Sequence, residues 1–201
     1  MSIGTIAAKA GSSPYPTGKF TVQDYHRMID AGVLGEDDRV ELLEGFLVSK
    51  MPHNPSHDGT IELLEEVLRQ SLPSGWRIRI QSAVTTTDSE PEPDLAIVRG
   101  TSRSFLQRHP LSHDIGLLIE VADSTLLQDR DEKARLYARA GIVEYWIANV
   151  RDRQIEVFRQ PSGPADEPSF GQSLIAKPGE SVELRLDGQV IATIPVAELL
   201  P

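Results

Sequence analysis

The chain has no cysteine. That excludes disulfides and thiolate metal sites and, with no export signal at the start, fits a cytoplasmic protein. No run approaches the roughly 18 consecutive apolar residues that a membrane span requires. Aromatic residues make up only 5% of the 201 residues, yet the overall apolar share of 39% is ordinary for a globular chain with a sizeable core. Positive charge is also in deficit. Lys and Arg number 20 against 30 Asp and Glu, for a net charge of −10, which argues against a general nucleic-acid coat protein because phosphate neutralisation needs basic surface. It leaves room for a nuclease whose site is acidic until a divalent metal binds.

Residues 1–19 are small and polar, with Gly11-Ser12-Ser13-Pro14 and Pro16-Thr17-Gly18, and are expected to form a disordered arm before a single domain over 20–201. Thr21 can cap a helix in which Val22, Tyr25, Met28, Ile29 and Val33 recur at helical spacing. Arg39 to Lys50 is expected to be a strand, or a hairpin bent at Glu44-Gly45. Ser56 or Asp58 can cap the next helix, with Ile61, Leu63, Leu64, Val67, Leu68 and Leu72 as its buried stripe. Strands are expected over 76–84, 92–98, 115–122, 143–149 and 154–160, with a helix from Thr125 to about Ala140. Pro161 to Pro168 has the composition of a mobile loop, and Asp187-Gly188 signals a hairpin in a β-rich tail. Strands alternating with helices through the middle give an α/β core of mixed sheet with an added C-terminal β-meander.

Three charged residues stand where core design would not put them. Asp94 opens the apolar run Leu95-Ala96-Ile97-Val98, and Glu120 lies inside Ile115 to Ala122, a stretch otherwise free of charge. Counting i−7, i−4, i+3, i+4 and i+7 from Lys133 gives Leu126, Asp129, Leu136, Tyr137 and Ala140, so the lysine shares the inward stripe of its helix. Gln128, Asp131, Glu132, Arg135 and Arg139 occupy the outward face, and Asp129 and Asp131 near the helix start are read as partners of its dipole. Buried charge is costly unless it is paired or bound to a metal. Two carboxylates can hold Mg²⁺ or Mn²⁺, and a nearby ammonium can orient water or offset transition-state charge. The competing explanations are local: each acid could cap a loop or meet an arginine, and the lysine stem could run along the core with its amine in water.

Glu92-Pro93-Asp94-Leu95-Ala96-Ile97-Val98, Leu118-Ile119-Glu120-Val121-Ala122-Asp123-Ser124, Asp129-Arg130, Lys133, Leu136-Tyr137-Ala138-Arg139-Ala140-Gly141-Ile142 and Glu144-Tyr145-Trp146-Ile147 resemble the signature blocks of the Uma-two family. These are bacterial proteins assigned as restriction endonucleases of the PD-(D/E)XK nuclease-like superfamily, and the resemblance runs from about Thr21 to Gln160. It implies a restriction-endonuclease-like core, Asp94 and Glu120 as ligands of Mg²⁺ or Mn²⁺, and hydrolysis of nucleic acid, DNA ahead of RNA. The superfamily usually carries its lysine two residues after the second acid. Here that residue is Ala122, and Lys133 is the natural substitute. Glu44 and Glu41 align with an acidic turn that could supply a third acid, Glu44 as an auxiliary catalytic residue, although Glu44-Gly45 also suits a plain hairpin turn. His57 matches a family histidine near a helix start, where the dipole would disfavour its protonation; a structural role is the alternative. Gln81 could touch phosphate or face water. Arg99, Arg103 and Arg108 could steer a phosphate backbone. A homodimer is expected.

His53/His57 and His109/His113 are each interrupted by proline, so neither is read as a helical zinc pair. No nucleophile elbow, phosphate-binding Gly-rich loop or dinucleotide fingerprint occurs. The alternative to an active nuclease is a binding or interaction module that keeps the fold without turnover. A hydrolase of small phosphate esters is a third reading.

Overall fold

A computed structural model describes residues 18–35 and 37–201. The arm expected over residues 1–19 therefore lies outside the described residues, apart from Gly18 and Lys19. Helix α1, Val22–Asp30, starts at a reciprocal cap. Thr21 Oγ1 accepts from the Asp24 amide, and the Asp24 carboxylate accepts from the Thr21 amide. Strands β1 (Val40–Leu43) and β2 (Phe46–Ser49) form a hairpin. Its turn residues Glu44 and Gly45 both have positive φ, 51° and 82°, the geometry whose twist matches paired strands. Helix α2, Pro55–Ser71, is capped by Asn54, whose Oδ1 accepts from the His57 amide at 3.0 Å, and not by Ser56 or Asp58. The reason lies in Pro55: its fixed φ and missing N–H suit the first helical position, which puts the cap one residue earlier.

The central sheet has six strands in the order β3-β4-β5-β6-β7-β8: β3 Trp76–Ile80, β4 Leu95–Arg99, β5 Ile115–Ala122, β6 Glu144–Asn149, β7 Gln154–Pro161 and β8 Phe170–Ala176. Every neighbouring pair is antiparallel except β5 and β6. A parallel pair needs a crossover connection, which here is the helical stretch of α3 (Leu126–Gln128), a π-helical turn (Asp129–Lys133) and α4 (Ala134–Arg139). Strands β9 (Ser181–Leu186) and β10 (Gln189–Pro195) form a smaller C-terminal antiparallel sheet, joined by Asp187 and Gly188 with φ of 53° and 74°. The first strand of the tail, β8, extends the central sheet. A short helix α5, Val196–Leu199, ends the described elements.

All eight residues of β5 are buried, since both faces of the sheet are covered. Leu117, Ile119 and Val121 pack with Leu64 and Leu68 of α2, Leu184 of β9 and Leu199 of α5. Leu118 and Ala122, on the opposite face, pack with Tyr137, Tyr145 and Ile147. Tyr137, Tyr145 and Trp146 are fully buried core residues. No helix among the described residues is long and apolar enough to cross a membrane.

Gly116 sits where the β4–β5 register shifts, and a Cβ there would stand 2.6 Å from both Leu186 Cδ2 and Trp76 Cζ3. Its missing side chain is what lets the C-terminal hairpin close on the sheet. Gly116→Ala is accordingly expected to destabilise the chain by about 1–3 kcal/mol, read from the midpoint of urea unfolding. An unchanged midpoint would contradict this packing.

A candidate metal centre

The β4–β5 register pairs Leu95 with Ile119 and Ala96 with Leu118, so the next position along sets Asp94 opposite Glu120. Residues opposite one another in antiparallel strands project from the same face, and like charges placed there repel. Both acids are buried. Asp94 Oδ2 accepts the Val121 amide at 2.8 Å, and Gln81 donates its own amide to the Asp94 carbonyl at 3.0 Å, which fixes the end of β4.

The crossover helix supplies the compensating charge. Lys133 Nζ lies 2.9 Å from Glu120 Oε1, and the Tyr137 hydroxyl donates to that oxygen at 2.7 Å. Ala122 points to the same face of the sheet and is packed in one apolar cluster with Ala134, so the amine arrives from above the strand. Asp129, expected to serve the helix dipole, is instead 3% exposed and shares this cleft with Lys133; Asp131 does face outward. The Thr125 hydroxyl donates to Asp129 Oδ2 at 2.6 Å, and the Tyr145 hydroxyl to the Asp129 carbonyl at 3.2 Å. That carbonyl also accepts the Ala134 amide, five residues on. Two donors so placed hold the π turn, a deformation that recurs at functional sites.

The fourth buried acid of the cleft is Glu41. It is buried in β1 and accepts the Glu92 amide at 3.0 Å. Glu44 is not brought there. Its carboxylate, at the hairpin tip, takes two bonds of 2.7 Å from Arg135 and lies 2.9 Å from Arg139, so the turn residue is a clamp between hairpin and α4.

Charges within the cleft push one another in opposite directions. Burial raises the Glu120 carboxyl to about 8, Lys133 opposing and Asp94 and Asp129 reinforcing. Burial raises Asp129 as well, against Lys133 and Thr125. At Asp94 burial is outweighed by His57 and the Val121 amide, and the carboxyl is held below its ordinary value. Lys133 is raised: burial would strip its proton, but Glu120, Glu41 and Asp129 retain it. The result is four buried acids around one permanent ammonium, two of them pushed toward the neutral form because that single charge does not compensate them, and Asp94 Oδ1 and Glu120 Oε2 receive no hydrogen bond from any described residue. Oxygen donors so gathered and under-compensated fit a hard divalent cation, whose binding would displace the extra protons.

His57 lies at this centre, its Nε2 3.2 Å from Asp94 Oδ2. Its protonation is favoured, contrary to the expectation from the helix dipole: burial opposes the proton, but Asp94 and Asp58 outweigh burial and raise the pKa. His53 also comes close. The loop before α2 folds back so that the two imidazoles stack with centroids 4.2 Å apart. His53, His57 and Asp58 together form a small cluster able to coordinate a divalent metal. Sequence spacing on a helix gave no sign of it, because His53 is not helical. Gln81, exposed and with φ of 43°, sits at the rim and donates to His53 Nδ1 at 3.0 Å.

The basic residues at and after the end of β4 are placed elsewhere. Arg99 is at the opposite end of β4 from Asp94, stacked on Trp76 and paired with Asp187. Arg108 pairs with Asp114 at 2.6 Å. Arg103 is exposed in the same connection and, like the other two, does not line the cleft.

Residues 22–187 match the family profile described as "Uma2: Putative restriction endonuclease". No curated protein matches the chain. Among solved structures, one titled as a "putative nuclease belonging to DUF820 from Anabaena variabilis ATCC 29413" aligns with a TM-score of 0.65 at 14% identity, over 90% of this chain and 97% of that one. At that identity the likeness is one of fold.

A carboxyl whose pKa is raised by folding binds its proton more tightly in the native state, so its contribution to stability falls as pH rises through the interval between the two values. For Glu120 that interval runs from 4.5 to about 8. Across it, the metal-free chain is expected to lose stability relative to Glu120→Gln, measured as the difference in urea midpoints at each pH. Parallel curves for the two proteins would refute the assignment of this buried charge.

Proposed function

The chain belongs to the Uma2 family, and from that premise we propose that it is a metal-dependent endonuclease hydrolysing phosphodiester bonds of nucleic acid, DNA ahead of RNA. The observation that carries the reading is the pair of opposed strand-end acids, Asp94 and Glu120, with the Lys133 ammonium 2.9 Å from the second. Asp94 and Glu120 would hold Mg²⁺ or Mn²⁺, with Glu41 as the accessory acid in place of Glu44. Such an ion polarises the phosphate and lowers the pKa of water.

The remaining roles belong to the chain itself. Lys133 keeps its proton, so it acts as a fixed positive charge that orients the attacking water and offsets charge developing on the phosphate, not as a base. The Tyr137 hydroxyl fixes which Glu120 oxygen faces the lysine. His57 steadies Asp94. For the phosphate backbone we favour Arg77 and Arg79 over Arg99 and Arg108, whose charges already meet Asp187 and Asp114. Arg77 pairs with Val98 and Arg79 with Ala96, which puts both on the face of the sheet that carries Asp94. Neither has an acidic partner among the described residues, and the Arg79 Nε is buried without a hydrogen bond. A homodimer working in the cytoplasm completes the proposal.

The Lys133–Glu120 contact also suits a second reading, an inactive module in which this is a structural ion pair. Cleavage of plasmid DNA with Mg²⁺ or Mn²⁺ separates the two. The endonuclease reading expects a loss of about 100-fold or more in Asp94→Ala and Lys133→Met. Undiminished cleavage in Asp94→Ala, or none by the wild type on DNA or RNA with either ion, would sink it. Arg79→Ala is expected to weaken binding to all sequences alike and to lower the slope of log affinity against log salt by about one. An unchanged slope would remove Arg79 from the backbone contacts.

A further inference from the structure

Beside the acid pair, a second group of side chains converges and has only a minor use in the reaction proposed above: His53 in the loop before α2, and His57 and Asp58 in the first turn of that helix. One ligand atom from each lies within 4.8 Å of the others. Asp58 Oδ1 is 3.5 Å from His53 Nδ1 and 3.4 Å from His57 Nδ1. Both separations are long for hydrogen bonds to ring nitrogen, which cluster at about 2.7–3.2 Å. They match the edge of a tetrahedron whose centre-to-ligand bonds are ~2.0–2.2 Å, an edge of about 3.3–3.6 Å.

We propose that His53, His57 and Asp58 form a second cation site, for an imidazole-preferring divalent ion of the Zn²⁺ class. Its donor chemistry separates it from the all-oxygen centre, because imidazole nitrogen selects Zn²⁺, Co²⁺ or Ni²⁺ over Mg²⁺. Two further observations support it. First, metal-bound histidines usually pass their other ring N–H to a carboxylate, which fixes tautomer and ring orientation; His57 Nε2 is 3.2 Å from Asp94 Oδ2. Second, Gln81 Nε2 is 3.0 Å from His53 Nδ1. This amide donor marks Nδ1 as the unprotonated ring nitrogen, and the same side chain turned over would present Oε1 as a fourth donor once an ion takes that lone pair. Asp58 is well exposed and His53 partly so, which leaves a path for entry. An ion here ties the loop of Pro52, His53 and Asn54 to α2 and so builds one wall of the cleft beside Asp94.

The inference stands apart from the endonuclease reading, and its test does not measure cleavage. The full chain, stripped of metal, is titrated with Co²⁺. A four-coordinate site with imidazole ligands absorbs intensely in the visible, whereas six-coordinate oxygen sites absorb weakly. One intense equivalent per chain is expected, bleached by one equivalent of Zn²⁺ and retained in Glu120→Gln. It is expected to vanish in His53→Ala and in Asp58→Asn, with thermal melts confirming that both fold. In Asp94→Asn, where only the outer partner of His57 is lost, Zn²⁺ affinity is expected to fall about 10- to 100-fold. Absence of the intense band in the wild type, its persistence in His53→Ala, or its loss in Glu120→Gln would each overturn the site.

Discussion

Asp94 and Glu120 face each other across two antiparallel strands, in a cleft that also holds Glu41 and Asp129, and only the Lys133 ammonium stands permanently among them. Buried charge of one sign cannot be left uncompensated, so the surrounding elements are arranged to bring in donors. The Val121 amide goes to Asp94, the Tyr137 hydroxyl to Glu120, the Thr125 hydroxyl to Asp129 and the Glu92 amide to Glu41. Each of these donors relieves part of the repulsion without adding a charge. What these donors leave uncompensated raises Glu120 and Asp129 toward their neutral form, and a cation bound here would supply the missing positive charge.

The parts that carry this cleft are tied together outside it. Glu44, gripped by Arg135 and Arg139, fastens the hairpin bearing Glu41 to the helix bearing Lys133. Arg139 continues to Asp88, and the Ser89 hydroxyl donates back to Asp88 while accepting the Glu44 amide. On the other side of the helix, Arg130 from the π turn makes two bonds, of 2.6 and 2.7 Å, to Glu156 of β7. Arg130, Arg135 and Arg139 are thus the attachments of the helix, and Asp129 and Lys133 belong to the site.

How far the sequence could be read depended on whether a residue contradicted its surroundings. Asp94, Glu120 and Lys133 were legible because each breaks an apolar pattern, and both hairpins because Glu44-Gly45 and Asp187-Gly188 have turn chemistry. Asp129 escaped because an acid early in a helix already has an ordinary explanation in the dipole. Glu41 and Glu44 are three residues apart on one hairpin, an odd spacing that alternates faces of a strand, and Glu44 lies in the turn, where Arg135 and Arg139 hold it away from the cleft. His53 precedes the N-cap of α2, so helical periodicity does not place its ring against His57. Arg99, Arg103 and Arg108 form a basic cluster in sequence, but the pairing of Arg99 with Asp187 and of Arg108 with Asp114 appears only in the folded chain.

The π turn at Asp129–Lys133 has a consequence for how relatives of this chain are compared. A turn closed by a five-residue step holds one residue more than an α-helical turn of the same height. A relative one residue shorter between the second acid and the lysine would therefore keep its amine in the same place in an unbroken α-helix. Spacing counted along the chain is not conserved by such an insertion, whereas position in space is. Alignments that score the lysine by its distance from Glu120 would then report it missing from chains that retain it.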